Sequence, residues 1–352
     1  MYLTDMTQGD LAARLADWGE PKYRTKQIYP WIVQGVAPEN MTNLPKSLRE
    51  KLATIPFGGV EIDQKRTSAK DGTNKYLFRL MDENLVEGVL MRYHYGNTAC
   101  LSTQVGCNMG CKFCASTLEG CVRNLRPGEI RGQIAAIERD EPHDGQKGRA
   151  VTNLVLMGSG EPLDNYENVV AFLNDVTSPE SMGISPRNIS VSTCGIVPRM
   201  LTFADDAPHV TLSVSLHAHS DDQRSQMMPV NKAYPIREVI GAAKRYIEVT
   251  GRRVVFEYAL IDGFNASRQD AYALSALLNG MLCHVNLIPL NPVPERGLKG
   301  VTRGQAAAFA EWLTEKHISA TVRREMGTDI EGACGQLRRR VLDEVRSEIH
   351  NG

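Results

Sequence analysis

Three cysteines fall within eight residues, Cys107-Asn108-Met109-Gly110-Cys111-Lys112-Phe113-Cys114, spaced C-x3-C-x2-C. Zinc sites usually present two C-x2-C pairs, or one pair with histidines, to complete four ligands. No fourth ligand stands near this cluster at such a spacing. Three thiolates instead suit three irons of a 4Fe–4S cluster and leave the fourth iron open for a substrate. Phe113, just before the last cysteine, is suited to shielding such a cluster. The chain has eight cysteines, and three this close in a reducing compartment favour metal chemistry or catalysis over structural disulfides. Read singly, the others have plainer roles. Cys121, Cys194 and Cys283 read as packing residues, and Cys100 and Cys334 each read first as a buried apolar group. Gly332 and Gly335 around Cys334 suggest a tightly turned loop. Glu87, in Leu85-Val86-Glu87-Gly88-Val89, is by default a solvated strand residue, but between Val86 and Val89 its pKa could be raised. His217 lacks a partner histidine at ligand spacing, and His143, His209 and His219 read as structural or solvated.

The elements that must carry these residues are legible from periodicity. Leu11 to Trp18, Tyr23 to Gln34 and Asn43 to Leu52 pattern as short amphipathic helices, the third with Pro45 just inside its start. Strand-like stretches follow at Val60–Ile62, Lys75–Leu80 and Val86–Arg92. From Ala99 the chain alternates. Strands are expected at Ala99–Val105, Thr152–Met157, Asn188–Ser192, His209–Ser215, Arg253–Leu260 and Cys283–Ile288, with a last one near Thr321. Helices are expected at Pro127–Arg139, Tyr166–Val176, Pro198–Phe203, Pro235–Val249, Ser267–Asn279 and Arg303–Lys316. Repeated βα units imply a parallel sheet with right-handed crossovers. Six units predict an α/β fold with a partial (β/α)6 barrel rather than a closed eightfold one. The expected division is 1–92 for a helical module with short antiparallel strands, 93–330 for the barrel, and 331–352 for a terminal segment carrying Cys334. In such barrels reactive groups gather on the loops after the strands. The cysteine cluster follows the first strand, Gly158-Ser159-Gly160-Glu161-Pro162 the second, Ser192-Thr193 ends the third, Ser215-Leu216-His217 the fourth, and Asn286 to Asn291 the sixth.

Cysteines so spaced, after the first strand of a βα repeat, make residues 93 to 330 resemble the radical SAM superfamily. The resemblance implies one 4Fe–4S cluster on Cys107, Cys111 and Cys114, and S-adenosylmethionine (SAM) lying across the strand ends. It also implies SAM contacts from Gly160, Glu161, Ser192, Ser215, Leu216, His217 and Asn291. A narrower resemblance rests on Glu20-Pro21-Lys22-Tyr23-Arg24-Thr25-Lys26-Gln27-Ile28, Met41-Thr42-Asn43-Leu44-Pro45, Met228-Pro229-Val230-Asn231, Asn286-Leu287-Ile288-Pro289 and Ala333-Cys334-Gly335-Gln336. These are similar to the RlmN/Cfr adenine methyltransferases. That family implies methylation of Cys334 by a first SAM, a radical step with a second, and Glu87 as base. It further implies that Cys100 resolves a protein–RNA adduct through a transient Cys100–Cys334 disulfide. Ser159 departs from the family, many of whose members have methionine there.

Carbon-2 methylation of adenine in 23S rRNA and tRNA is the expected activity. Carbon-8 methylation, or a non-enzymatic iron–sulfur redox protein with Cys100 and Cys334 as a switch pair, are the alternatives. The formal charge of -1 does not announce a nucleic-acid partner, so RNA contacts must be local. Lys22, Arg24 and Lys26 with Tyr23 and Trp31, then Arg123, Arg126, Arg323-Arg324 and Arg338-Arg339-Arg340, supply basic and aromatic groups for phosphates and bases. A base must leave its stack to reach a buried site. A flavodoxin-type reductase is the expected electron donor. No apolar run approaches the ~18 residues of a membrane span and no signal peptide is evident, so a cytoplasmic monomer is expected.

Overall fold

The computed structural model describes residues 1–141, 148–290 and 297–330, so Asn291, Cys334, His143 and the arginines at 338–340 lie outside the described residues. Helices α1 (Gln8–Asp17), α2 (Tyr23–Val33) and α3 (Lys46–Ala53) open the chain. Thr7 and Asp10 form a capping box on α1, and Pro45 stands at the N-cap of α3, one position ahead of the helix. Leu11, Leu15, Ile28, Ile32, Met41, Leu48 and Leu52 give these helices a core of their own.

Three antiparallel strands follow, β1 (Glu61–Thr67), β2 (Asn74–Arg79) and β3 (Leu85–Tyr93). Next come β4 (Gly96–Cys100), a hairpin of β5 (Gln104–Gly106) and β6 (Cys121–Asn124), and α4 (Pro127–Asp140). The alternation continues through β7 (Asn153–Leu156), α5 (Tyr166–Thr177), β8 (Ile189–Thr193), α6 (Val197–Asp206) and β9 (Thr211–Ser215). It ends with α7 (Asp221–Met227), α8 (Ile236–Thr250), β10 (Val254–Leu260), α9 (Arg268–Leu278), β11 (Cys283–Pro289), α10 (Arg303–Glu315) and β12 (Ala320–Val322). Ten of these strands form one sheet in the order β1-β2-β3-β4-β7-β8-β9-β10-β11-β12. Every pairing from β4 to β12 is parallel. The fold is a partial radical-SAM-type barrel. Its sheet does not stop at residue 92, because β3 pairs with β4 from Val89↔Cys100 to Tyr93↔Gly96.

The strand expected at Ala99–Val105 is two strands. Beyond Cys100 the backbone leaves the ladder because side chains take its hydrogen bonds. Ser102 N donates to Gln133 Oε1 (3.0 Å), Gln133 Nε2 donates back to Ser102 O (2.9 Å), and Ser102 Oγ donates to Glu87 O (2.7 Å). Helix α7 gave no sign in the sequence because Asp-Asp-Gln-Arg-Ser-Gln-Met has no apolar period. Within the barrel the alternation of each strand divides two faces. Leu154, Leu156, Val191, Leu212, Val214, Phe256, Tyr258 and Leu287 join the helices in the main core. Val155, Ser190, Ser192, Ser213, Ser215, Glu257 and Asn286 share the opposite, inner face.

One buried knot ties the helical module to the barrel. Arg131 on α4 donates to Thr4 O (2.6 Å) and pairs with Asp175 on α5, which also accepts from Tyr29 OH (2.7 Å). Its side chain is only 3% exposed, so Arg131→Met would strand Asp175 without its cation. The substitution should cost ~3 kcal/mol in urea unfolding and hasten proteolysis within the first 57 residues. An unchanged midpoint and cleavage pattern would mean that the knot contributes little.

Candidate active site

The cysteine loop is held at both ends before any cofactor is considered. Cys107 N donates to Gly120 O (3.0 Å), and Cys121 N donates to Asn108 Oδ1 (2.8 Å). Gly106 has φ +80°, and a Cβ there would lie 1.9 Å from Gly120 O, so glycine alone fits. Lys112 N donates to Met227 O (2.9 Å), which moors the loop to α7, and Thr117 Oγ1 donates to Cys111 O and Cys114 O. Met109, Phe113, Met227, Met228 and Ile261 surround the thiols. Burial pushes the Cys107 thiol up to about 12, and burial with the neighbouring cysteines pushes Cys111 up as well. Thiols in so apolar a setting become anionic ligands only when a metal compensates their charge, which fits an iron cluster. Among the described residues no three His, Cys, Asp or Glu side chains converge closely enough to share one metal ion. Ligands of one zinc lie within about 4 Å of one another, whereas a cluster spreads its ligands over separate irons.

The loop after β7 is locked against this hairpin. Gly160 has φ +108°, and a Cβ there would sit 2.7 Å from the backbone nitrogen of Gln104. Gln104 Oε1 accepts from Glu161 N (2.8 Å), and Ser159 O accepts from Thr103 N and Gln104 N. Ser159 itself is buried, its Oγ 3.4 Å from Gly106 O and its amide donating to Ser102 Oγ. The Glu161 carboxylate accepts from Leu163 N (3.0 Å) and Cys194 N (2.7 Å), welding the ends of β7 and β8. Burial raises the Glu161 pKa, and the donors from Cys194, Thr193 and Leu163 oppose that rise. The Cys194 side chain packs with Cys111, Met227 and Met228 as expected, while its backbone amide serves Glu161.

The ends of β8 and β9 are closed by Arg224, a residue the sequence gave no reason to choose. It is fully buried, and its guanidinium donates to Leu216 O (3.2 Å), Cys194 O (2.5 Å), Ser215 O (3.2 Å) and Asn231 Oδ1 (3.0 Å). His217 follows with φ +57°, a left-handed conformation that costs about 1–2 kcal/mol outside glycine. Its ring meets Phe113 edge-on at 4.6 Å, and its Nδ1 accepts from Ala259 N (2.9 Å). That bond fixes the neutral tautomer with its proton on Nε2. Ser192 and Ser215 stand side by side on the inner face with hydroxyls 3.5 Å apart, whereas Leu216 is wholly in the core.

Cys100 and Glu87 share that inner face at the same end of the barrel. Cys100 pairs with Val89 and packs against Met91, Val155, Met157 and Met326. Glu87 lies two residues along β3, beside the turn that Ser102 fastens. Its surroundings differ from the apolar pair its neighbours suggested. Lys75 Nζ is 3.3 Å from its carboxylate, and both groups are buried. Lys75 stood in a run of strand residues with no motif to mark it. Beyond Met326, Gly327 N donates to Asp71 Oδ2 (2.9 Å), while Asp329 accepts from Ser68 Oγ (2.6 Å) and Ala69 N (3.0 Å). The chain thus approaches residue 331 moored to the β1–β2 turn.

The basic groups divide. Arg123 pairs with Asp82 and Glu129, and Arg126 pairs with Asp5 and Glu129 while covering the Tyr2 ring at 3.6 Å. Both are engaged in intramolecular ion pairs, and Trp31 donates to Asn43 Oδ1. Lys22, Tyr23 and Lys26 remain exposed on α2, and Arg324 is exposed after β12.

Burial pushes His217 down to about 3. A histidine buried neutral binds fewer protons folded than unfolded between that value and about 6.5. Stability therefore rises with pH through this window and is lost as pH falls through it, by up to ~1.4 kcal/mol per unit. His217→Asn tolerates the left-handed backbone and cannot titrate. The difference in unfolding free energy between variant and parent should change sharply between pH 6.5 and 4 and stay flat above pH 7. A pH-independent difference would mean that the ring is not held neutral.

Two family models match the chain: the radical SAM superfamily over residues 101–274, and a ribosomal RNA large subunit methyltransferase N-terminal domain over residues 1–56. A relative from Thermoanaerobacter sp. (strain X514), described as a probable dual-specificity RNA methyltransferase RlmN, is 48% identical over 98% of this chain and 100% of its own length. One of the same description from Alkaliphilus oremlandii is 49% identical over 97% of this chain and 98% of its own. The crystal structure of a radical SAM methyltransferase from Sphaerobacter thermophilus superposes with a TM-score of 0.90 at 44% identity, covering 96% of this chain and 98% of that one. Membership of the superfamily implies a 4Fe–4S cluster and SAM as cofactors. The chain belongs to the RlmN family of radical SAM RNA methyltransferases.

Proposed function

We propose that this RNA methyltransferase acts on carbon 2 of adenine, in the peptidyl-transferase region of 23S rRNA and beside the anticodon in tRNA. It consumes two SAM molecules and passes through a methylated Cys334. The observation that carries the reading is the company Cys100 keeps. It lies on the inner barrel face with Glu87, at the strand ends where Cys107, Glu161 and His217 gather, and Met326 packs on it eight residues before Cys334. Gly327 and Asp329 are held at the β1–β2 turn, and from Ile330 four residue steps carry Cys334 up to about 14 Å.

Carbon 2 of adenine is electron-poor, so it does not displace a methyl group from a sulfonium. The bound cofactors supply, when present, a methyl cation equivalent and an adenosyl radical. Cys107, Cys111 and Cys114 hold the cluster. Gly160 permits close backbone approach, and Glu161, Ser192, Ser215 and His217 would line the SAM pocket; Leu216 faces the core instead, and Asn291 lies outside the described residues. The Cys334 sulfur takes the methyl group by ordinary displacement. After a hydrogen atom is removed from that methyl, the carbon joins Cys334 to the adenine ring. Glu87, held by Lys75, accepts the carbon-2 proton, and the adduct gives up its odd electron, for which the cluster would be the acceptor. The Cys100 thiolate then attacks the Cys334 sulfur, forming a Cys100–Cys334 disulfide as the sulfur–carbon bond breaks, and the released carbon takes a proton to become the methyl group. A cellular reductant of the flavodoxin type supplies the two electrons that, with two protons, return the disulfide to thiols. Lys22, Tyr23 and Lys26 offer the RNA a first exposed basic and aromatic surface. The reading carries with it a cytoplasmic setting.

Alanine at Cys107, Cys111 or Cys114 should abolish cluster absorbance and SAM cleavage in anaerobically reconstituted protein; a triple variant with a full cluster would refute the ligand set. Glu87→Gln should retain cluster and methylated Cys334 while slowing RNA methylation by roughly 100-fold, and unchanged turnover would demote it to a strand residue. Cys100→Ala should still carry a methyl group on Cys334 and accumulate protein covalently joined to RNA, seen as a band that ribonuclease removes. Normal turnover with no trapped RNA would sink the two-cysteine scheme. Nucleoside analysis of the product separates 2-methyladenosine from the 8-methyl isomer, and the latter would overturn the carbon-2 assignment.

A further inference from the structure

Arg224 is a buried cation with no ion-pair partner among the described residues. No part of its side chain reaches solvent, and all its hydrogen bonds go to neutral oxygens: the carbonyls of Leu216, Cys194, Ser215 and Tyr234 and the amide of Asn231. Among the described residues no carboxylate stands within ion-pair distance of it. Asp221, three residues back along α7, acts on it only through space; it is exposed, and its carboxylate already accepts from Ile236 N (2.8 Å) and Asn231 Nδ2 (3.0 Å). A buried cation without a counter-charge costs several kcal/mol, and neutral residues could have tied these strand ends together.

Its position explains the retention. Arg224 lies on α7, one turn before Met227, whose carbonyl moors Lys112 between Cys111 and Cys114. Met227, Met228, Cys194 and Cys111 form one apolar cluster, and Met228 N donates to the Arg224 carbonyl. Gly195, with φ +100°, brings the backbone against the guanidinium, where a Cβ would lie 3.3 Å from Nη2. The guanidinium donates to Cys194 O, and Cys194 shares one cluster with Cys111.

We propose that Arg224 is an electrostatic positioning residue for the iron–sulfur cluster: a fixed buried cation behind Cys111 that compensates the cluster's negative charge and raises its reduction potential. The inference rests on the cysteine ligation proposed above. A 4Fe–4S core of charge 2+ with three thiolates bears a net charge of about −1, and one electron from a reductant takes it to about −2. A cation fixed in a low-dielectric surround favours the more negative state.

The test uses full-length protein, reconstituted anaerobically with iron and sulfide, in the parent, Arg224→Lys, Arg224→Gln and Arg224→Met. Each is titrated with dithionite in the presence of mediators, and the reduced cluster is read by electron paramagnetic resonance. The neutral variants should be about tenfold harder to reduce, a midpoint lower by ~59 mV for one electron, while the lysine variant stays near the parent. Should the neutral variants fail to hold a cluster, the proposal requires that Arg224→Lys still hold one. Equal midpoints in parent and neutral variants would overturn it, as would a lysine shift as large as the neutral ones. Loss of the cluster from the lysine variant, alone or with the others, would likewise overturn it, since the geometry of the fork and not its charge would then be what matters. Loss of the cluster from Cys107, Cys111 or Cys114 variants tests the ligand set separately.

Discussion

Parallel strands that end at one edge of a sheet leave buried amides and carbonyls there, and each must find a partner. This constraint shapes the reactive end of the barrel. Gln133 closes the end of β4, Glu161 joins the loop after β7 to the end of β8, Arg224 joins β8 to β9, and Asn265 bonds His217 O, Ala259 O and Ile261 N after β10. Because these links are side chains with fixed reach, they set the spacing between neighbouring loops. The cysteine hairpin, the glycine-rich turn and the His217 turn are held in mutual register before any cofactor arrives.

The same end shows how a site can be rigid and still polar. Glu161 and His217 are deeply buried, yet each is defined by bonds from backbone amides. Their protonation is set by those amides and by burial rather than by water. Such pre-arranged groups need little reorganisation when charge develops nearby.

Much of this was legible in the residues. The C-x3-C-x2-C run, the six βα units and the place of each loop after its strand follow from spacing and periodicity, and the strand and helix expectations fall close to the observed elements. What escaped the sequence is informative. Arg224 and Lys75 sit where polarity alone predicts solvent, and only the tertiary fold buries them. Helix α7 hid because its packing rests on Met227 and Arg224 rather than on an apolar stripe. The break after Cys100 hid because Ser102 and Gln133, thirty-one positions apart, exchange hydrogen bonds that no local pattern announces. Arg123 and Arg126 resembled surface cations in the sequence and are held by Glu129, Asp82 and Asp5.

The mooring of residues 326–330 on the β1–β2 turn sets the odds of an encounter. Cys334 lies four residue steps beyond Ile330, a leash of at most ~14 Å. A thiol on so short a leash meets its surroundings at an effective concentration on the order of millimolar. In the proposed scheme each event at that sulfur is a local collision rather than a search through solution. In the proposed cycle the RNA, SAM and the reductant must all diffuse to the barrel mouth, while the Cys334 thiol is delivered by its own chain.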